Sequence, residues 1–325
     1  MSRVLITGVT GQDGSYLAEF LLDLGYEVHG TVRTTTADLS LSRIGHLIKD
    51  DPPRIALHVT DLGDEGSLTR LIRSVQPTEV YNLAAQSHVK ASFDQPVHTG
   101  DITGLGAVRV LEAIRTVDPT IRFYQASSSE MFGDARPPQS ESTPFRPRSP
   151  YAVAKVYAYW ATVNYREAYG IHASSGILFN HESPRRGLGF VTRKITDGLA
   201  RIRSGEISTF RLGNIEARRD WGHAKDYVRA MHAIVQCEDP RDFVIGTGES
   251  HTVKQFLEIA AGFADLDWRE VVEIDPDLYR PSDVPHLEAN ASLARDMLGW
   301  EPQVGFDELV EEMVVSDLRA RGVRM

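Results

Sequence analysis

Cysteine is almost absent: the 325 residues hold one, Cys237. A lone thiol excludes an internal disulfide and any cysteine-built metal cluster, so a reducing, cytoplasmic setting is the expectation. Long apolar runs are missing too. The first, Val4-Leu5-Ile6, is too short for the core of a secretory signal, and none approaches the roughly 20 residues of a membrane span. Positive charge is the scarcer sign, with 35 Lys and Arg against 45 Asp and Glu and a formal net charge of −10. Such a chain has no general electrostatic claim on nucleic acid or an anionic membrane, although the doubled arginines at Arg185-Arg186 and Arg218-Arg219 leave room for a pocket that holds a small polyanion. Repeats and low-complexity tracts are lacking as well. The composition, 42% hydrophobic and 25% charged, is globular, and the length suits one large α/β unit or two intimate domains.

What is present alternates. Val4-Leu5-Ile6 reads as a buried strand, Leu17, Phe20, Leu21 and Leu24 recur at helical spacing up to Gly25, and Glu27 to Val32 reads as the next strand. The rhythm continues with a strand at Ile55 to His58, a helix at Glu65 to Val75, a strand at Glu79 to Leu83, a helix at Gly104 to Ile114 and a strand at Arg122 to Gln125. A long helix from Pro150 to about Tyr169 precedes a strand at Ser174 to Phe179. Strands alternating with helices predict a doubly wound parallel sheet of the Rossmann kind over residues 1–179, with segments near 213–245 returning to it. After Phe179 come charged loops, a helix near Thr192 to Ser204, a strand near Thr209 to Leu212 and helices from about Val253 and Phe306. Residues 180–325 are expected to form a smaller, interleaved, mixed α/β substrate domain.

Glycines at 8, 11 and 14 lie between the first strand and the first helix. Gly8 suits a tight turn, Gly11 a close approach of backbone to a pyrophosphate, and Gly14 close helix–strand packing, with the helix N-terminus supplying N–H donors. Glycines also serve ordinary turns, but this first β–α junction is where the fold binds a dinucleotide. Arg33 follows the second strand, where an acid would select a ribose 2′-hydroxyl and an arginine a 2′-phosphate, which favours NADP; a solvated arginine is the plainer alternative. Asp61-Leu62 ends the third strand region, where a carboxylate can accept the adenine amino group or serve only its loop.

Ser149-Pro150 writes a helix start, and Tyr151 and Lys155 fall four apart on one face. A phenol with an ordinary pKa near ~10 becomes a usable base once an ammonium and a nicotinamide cation lower it. The pair can then move a proton on a sugar hydroxyl. Ser128 and Glu130 follow the fifth strand, at the carboxyl edge. A hydroxyl there can bond the same substrate oxygen, and a carboxylate can take the proton alpha to a new ketone and return it to a departing hydroxide; Glu130 reads equally as a turn residue.

With these belong Tyr81 to Val89, Phe123 to Glu130, Pro147 to Lys155, Asn180-His181-Glu182-Ser183-Pro184-Arg185-Arg186-Gly187 and Arg219-Asp220-Trp221-Gly222. From about Val4 to Leu318 the chain resembles the GDP-mannose 4,6-dehydratases, a branch of the extended short-chain dehydrogenase/reductases. The glycine loop and the Tyr151/Lys155 pair carry the superfamily, and the Asn180 to Gly187 stretch carries the branch. The resemblance implies a reaction on GDP-mannose in which NADP oxidises C4, the C5 proton and C6 hydroxyl leave as water, and the hydride returns to C6. It implies Ser128, Glu130, Tyr151 and Lys155 as the catalytic set. The cofactor would be held by Gly8, Thr10, Gly11, Gln12, Asp13 and Gly14, by Arg33, Asp61, Leu62, Leu83, Ala84 and Ala85, and by Lys155, His181 and Arg186. Around the nucleotide sugar it puts Ser87, Asn180, Lys194, Arg219, Arg280 and Asp283, with no metal. His181 reads otherwise as a satisfied loop histidine and Arg193-Lys194 as a solvated helix face.

Three departures from the family pattern stand out. Ser128 replaces a common Thr and keeps the donor. Arg33-Thr34 replaces paired arginines that, by resemblance, reach a neighbouring subunit, so a homodimer is expected ahead of a homotetramer. Asp283 replaces a longer Glu, so a hydrogen bond to the ribose would be lost or bridged by water. Rival readings are a 4-epimerase or ketoreductase, which needs no Glu130, a dehydratase of another GDP-sugar such as a heptose, and a cofactor-binding regulator without turnover.

Overall fold

The computed structural model describes residues 2–33, 43–49, 52–279 and 282–323. In β1 (Arg3–Thr7) side chains alternate between two cores. Val4 and Ile6 join Tyr16, Leu17 and Leu21 of α1 (Gln12–Asp23), whereas Leu5 joins Leu68 and Ile72 of α2 (Glu65–Val75) and Val110 and Ile114 of α3 (Gly106–Val117). A strand apolar on both faces needs a helix layer on each side, and that requirement makes the architecture three-layered. With strands numbered along the chain, β2 (Glu27–Val32) and β3 (Ile55–Val59) lie to one side of β1. To the other lie β4 (Glu79–Asn82), β5 (Arg122–Ser128), β6 (Ala173–Leu178) and β10 (Phe243–Ile245), in the order β10-β6-β5-β4-β1-β2-β3. Every pairing is parallel, so the doubly wound sheet expected from the alternation is present. Its order reverses between β1 and β4, where a crevice opens beyond the carboxyl ends of the strands.

The long helix α4 (Pro150–Tyr169) begins as its sequence dictates, with Pro150 in the first turn and Ser149 Oγ accepting from the Ala152 N–H at 3.1 Å. Elsewhere the elements differ from expectation. β5 runs on through Ser128, because Ser127 and Ser128 still pair with Ile177 and Leu178 of β6. A π-helical stretch, Gly100–Leu105, precedes α3, which starts two residues later than its apolar pattern suggested. The stretch after Phe179 is not loop alone: β7 (Asn180–Glu182) pairs with β9 (Arg218–His223), which pairs with β11 (Ser250–Thr252), and β8 (Phe210–Leu212) lies between β7 and β9 in the chain. These strands are polar and escape an apolar pattern because their buried side chains find partners in neighbouring segments, Glu182 accepting from Thr192 Oγ1 and Asp220 from the N–H groups of Thr247, Gly248 and Ala289.

A second core gathers Ile195 and Leu199 of α5 (Val191–Arg203), Phe256 and Leu257 of α7 (Val253–Phe263), and Leu309, Val310 and Met313 of α8 (Phe306–Ala320) around Trp221. Between these visits the chain returns to the large sheet. Helix α6 (Ala224–Gln236) contributes Tyr227, Met231 and Ile234 to the first core, β10 closes the sheet edge, and Ala294 and Trp300 pack there as well. Trp300 Nε1 donates to Asp226 O at 2.8 Å. Among the described residues no helix is long and apolar enough to cross a membrane.

Candidate active site

The glycine loop turns at Gly8, whose φ of +73° is left-handed and whose absent Cβ would lie 3.0 Å from Ala84 Cα. Helix α1 then starts close against it: a Cβ on Gly14 would fall 2.4 Å from Gly8 O. The first intrahelical bond runs from Ser15 N to Gly11 O, so the N–H groups of Gln12, Asp13 and Gly14 have no partner within the helix. Asp13 would oppose an anion here, but it is neutralised. His181 Nε2 lies 2.8 Å from Asp13 Oδ2, and Gln12 Nε2 donates to Asp13 Oδ1 at 3.0 Å. Burial works to raise the Asp13 carboxyl, yet the imidazole's charge and these hydrogen bonds outweigh it and hold the group at about 2. Burial likewise works to lower His181, and Asp13 reverses it, leaving the imidazole above its ordinary pKa. His181 is therefore built into the glycine loop: its Nδ1 bonds Phe179 O at 2.7 Å and its ring stacks on Tyr227 at 4.5 Å.

Tyr151 and Lys155 are both buried on α4, with Lys155 Nζ 5.8 Å from the centre of the phenol ring. Lys155 donates to Ala126 O at 2.5 Å. Burial lowers this ammonium to about 8 and pushes the phenol up to about 12. A hydrogen bond with Ser128 and the charge of Arg186 pull the phenol down, and Glu130 and Asp13 push it further up. The lowered phenol expected from the sequence is thus not a property of the protein groups, because desolvation dominates and Lys155 is turned towards a backbone carbonyl. Ser128, the last residue of β5, accepts from the Glu130 N–H at 3.3 Å, and the short turn Ser129–Met131 brings Glu130 to the same cleft.

That cleft is lined by Gly8, Gly11, Gln12, Asp13, Gly14, Leu83, Ala85, Ser87, Ser128, Glu130, Tyr151, Lys155, Asn180, His181 and Arg186. The other expected cofactor residues stand off it. Thr10 presents its carbonyl to Arg43 at 3.4 Å, Asp61 accepts from the Gly63 N–H at 2.7 Å, Leu62 packs into a core, and the Ala84 N–H donates to Thr7 Oγ1 at 3.1 Å. Arg33 is exposed at the end of β2. Ser87, expected beside the sugar nucleotide, lines this cleft and not the next.

A second cleft opens against the first and shares Val89, Asn180, Arg186 and Phe190 with it. Lys194, Arg219 and Asp283 line it, with Trp221, Leu278 and Tyr279; Arg280 lies outside the described residues. Arg219 is fixed by donating to Val284 O and Arg218 O, both at 2.8 Å. Asp283 lies 3.7 Å from Arg219 and accepts from Asn214 Nδ2 at 3.1 Å. Arg186, between the clefts, sits 3.1 Å from the buried Glu182 and 3.7 Å over the Phe190 ring. Arg193 is no solvated residue: it pairs with Asp317 at 2.7 Å and donates to Pro184 O.

A family model described as GDP-mannose 4,6 dehydratase matches residues 5–313. The chain belongs to the GDP-mannose 4,6-dehydratase family. GDP-mannose 4,6 dehydratase 1 of Arabidopsis thaliana is 54% identical to it over 322 residues, 97% of this chain and 89% of that protein. GDP-mannose 4,6 dehydratase of Homo sapiens is 49% identical over 338 residues, 97% and 91% of the two chains. Among solved structures, the UDP-glucose 4-epimerase of Thermus thermophilus in complex with NAD shares the fold with a TM-score of 0.84 at 27% identity, covering 97% and 98%.

Two parts of this dehydratase-family site were not anticipated. Thr7 Oγ1 donates to Asn82 Oδ1 (2.7 Å), Asn82 Nδ2 to Gln125 Oε1 (2.8 Å), and Gln125 Nε2 to Ala126 O (3.0 Å). This buried chain crosses three strands and ends on the carbonyl that holds Lys155. Its one sequence signal is a polar residue in each of three neighbouring strands, Thr7, Asn82 and Gln125, which the sheet register sets side by side. The second is the tie that Gln12, itself an expected cofactor residue, makes to β7 and the segment after it: its Nε2 also donates to His181 O at 3.0 Å and its Oε1 accepts from Ser183 Oγ at 2.8 Å. Nothing in the sequence links residues so far apart.

Proposed function

We infer that the protein is a hydro-lyase converting GDP-mannose to GDP-4-keto-6-deoxy-D-mannose, with NADP as a cofactor regenerated in place. Relatives that share about half its residues along nearly its whole length carry that activity in their names. The first cleft fits a nicotinamide dinucleotide. A Cβ at Gly14 would meet Gly8 O and so unseat α1, the N–H groups of its first turn suit a pyrophosphate, and His181 offsets Asp13, the acid of that turn. When bound, the oxidised cofactor supplies a hydride acceptor and a ring charge that lowers the Tyr151 phenol.

The protein's own groups move the protons. Tyr151, bonded to Ser128, takes the proton from the C4 hydroxyl as that carbon is oxidised. The new ketone acidifies C5, and Glu130 takes that proton and passes it to the C6 hydroxyl, which leaves as water. The proton held by Tyr151 is then available for C5 as C6 is reduced. Glu130 in the cleft of Ser128, Tyr151 and Lys155 is the observation that carries the reading, because C4 oxidation or epimerisation alone has no use for it. Lys194, Arg186 and Arg219 form a cationic wall suited to the diphosphate of the sugar nucleotide. Val153, Tyr157 and Trp160, exposed along one face of α4, support a homodimer joined across that helix.

Incubating the purified protein with GDP-mannose and no added reduced cofactor tests the assignment. A 4-keto-6-deoxy sugar and water should appear with no net change in absorbance of the nicotinamide. A keto sugar formed from another nucleotide sugar and not from GDP-mannose would remove the substrate while leaving the reaction class.

A further inference from the structure

We propose that Arg43 is the residue that reads the 2′-phosphate of the dinucleotide and so sets NADP over NAD. The proposal rests on the cofactor reading above and adds a residue that neither the strand-end position nor the family motifs pointed to. Arg43 follows β2 in the chain and lines the glycine-loop cleft beside Gly11, Asp13 and Arg186. Its guanidinium is anchored at two nitrogens: Nε donates to Arg185 O at 2.8 Å, and Nη1 reaches Thr10 O at 3.4 Å. Nη2 makes no hydrogen bond among the described residues.

Charge separates Arg43 from its neighbours. Arg185 pairs with Glu19 at 2.7 Å, Arg193 with Asp317 at 2.7 Å and Arg186 with Glu182 at 3.1 Å. Arg43 has no carboxylate partner among the described residues and instead faces Arg185 and Arg193. Burial and those two charges hold its pKa below the ordinary value. A part-buried cation kept among cations is costly unless an anion completes the site. The cleft it lines is where the dinucleotide brings its phosphates. The pyrophosphate has the first turn of α1. Arg43 instead reaches Thr10 of the glycine loop, and the bond from Gly8 N to Thr31 Oγ1 at 3.3 Å ties that loop to β2. In a sheet wound this way the adenosine ribose lies at the end of the second strand, and a nearby arginine accommodates its 2′-phosphate.

Isothermal titration of NADP+ and of NAD+ into the native protein and into Arg43→Gln tests this. NADP+ affinity should fall about 10- to 100-fold, as for loss of a charged hydrogen-bonded contact, with NAD+ affinity within about twofold of native. Both ligands use the same glycine loop, so an intact NAD+ affinity also certifies the fold of the variant. Equal weakening of both would place Arg43 on the pyrophosphate or in the scaffold and overturn the assignment, as would a preference for NADP+ retained in the variant. A native protein that binds NAD+ as tightly as NADP+ would overturn the cofactor reading and the assignment together.

Discussion

Desolvation and charge compete most openly at Tyr151, where the phenol rests at about 12. A phenol so weakly acidic stays protonated at rest, and the base proposed here becomes competent only when a further positive charge in the cleft lowers that pKa. The complementary task proposed for Glu130 separates from that of Tyr151 by isotope. In D2O, product formed by the native enzyme should carry deuterium at C5, and Glu130→Gln should lose turnover by roughly 10²–10⁴-fold, with C5 exchange falling in step. Native levels of exchange in that variant would remove Glu130 from its role. The Asp13–His181 pair makes a prediction in pH. Asp13 is depressed to about 2 from an ordinary 3.8, so its stabilisation is in place above 3.8 and drains as pH falls towards 2. His181 is raised from 6.5, so its share is complete below 6.5 and drains as pH rises through the higher folded value. The Tm gap between the native protein and the double variant Asp13→Asn/His181→Gln should be widest between pH 3.8 and 6.5 and narrow on both sides. A gap flat across roughly pH 2–9 would mean the pair adds nothing of this kind. Tyr151 and Lys155 could be read from a four-residue spacing. The partners of Gln12 could not, because that hydrogen-bond pattern exists only once β7 lies beside the loop.

Elements whose burial is periodic were legible almost to the residue. The long helix α4 spans Pro150–Tyr169 as its cap and spacing indicated, and β2 spans Glu27–Val32. Elements stabilised by polar partners were not. β9 carries Arg218-Arg219-Asp220, residues that read as loop until Asp220 is seen accepting from Thr247 N, Gly248 N and Ala289 N at 2.9, 2.9 and 3.1 Å. The junction of loop and helix is testable at this scale. Gly14→Ala puts a methyl 2.4 Å from a backbone oxygen that cannot rotate away. The variant should lose about 1–3 kcal/mol in denaturant unfolding and bind the dinucleotide more weakly; a native midpoint and native affinity would show that α1 is not seated through that contact.

Across the whole molecule, charge and exposed apolar surface mark different faces. The net charge of −10 describes the outside, whereas Arg43, Arg186, Lys194 and Arg219 converge on the two joined clefts. Away from them, Val153, Tyr157 and Trp160 of α4 are each at least half exposed and fall at i, i+4 and i+7, one continuous stripe. Trp160→Glu together with Tyr157→Ser should convert a dimer to a monomer in light scattering; a native protein that already runs as a monomer would sink the dimer.

The return of the chain to its first layer governs the order in which the protein can be made. β6 ends at Leu178, but the strand that covers its outer edge is Phe243–Ile245. At about 5–20 residues per second, a ribosome leaves that edge open for on the order of 3–13 s. During that interval the nascent sheet ends in an unpaired strand buried on both faces in the finished protein, the kind of edge that recruits other chains. The helix and strand that cover it are thus the protein's own late-arriving chaperone.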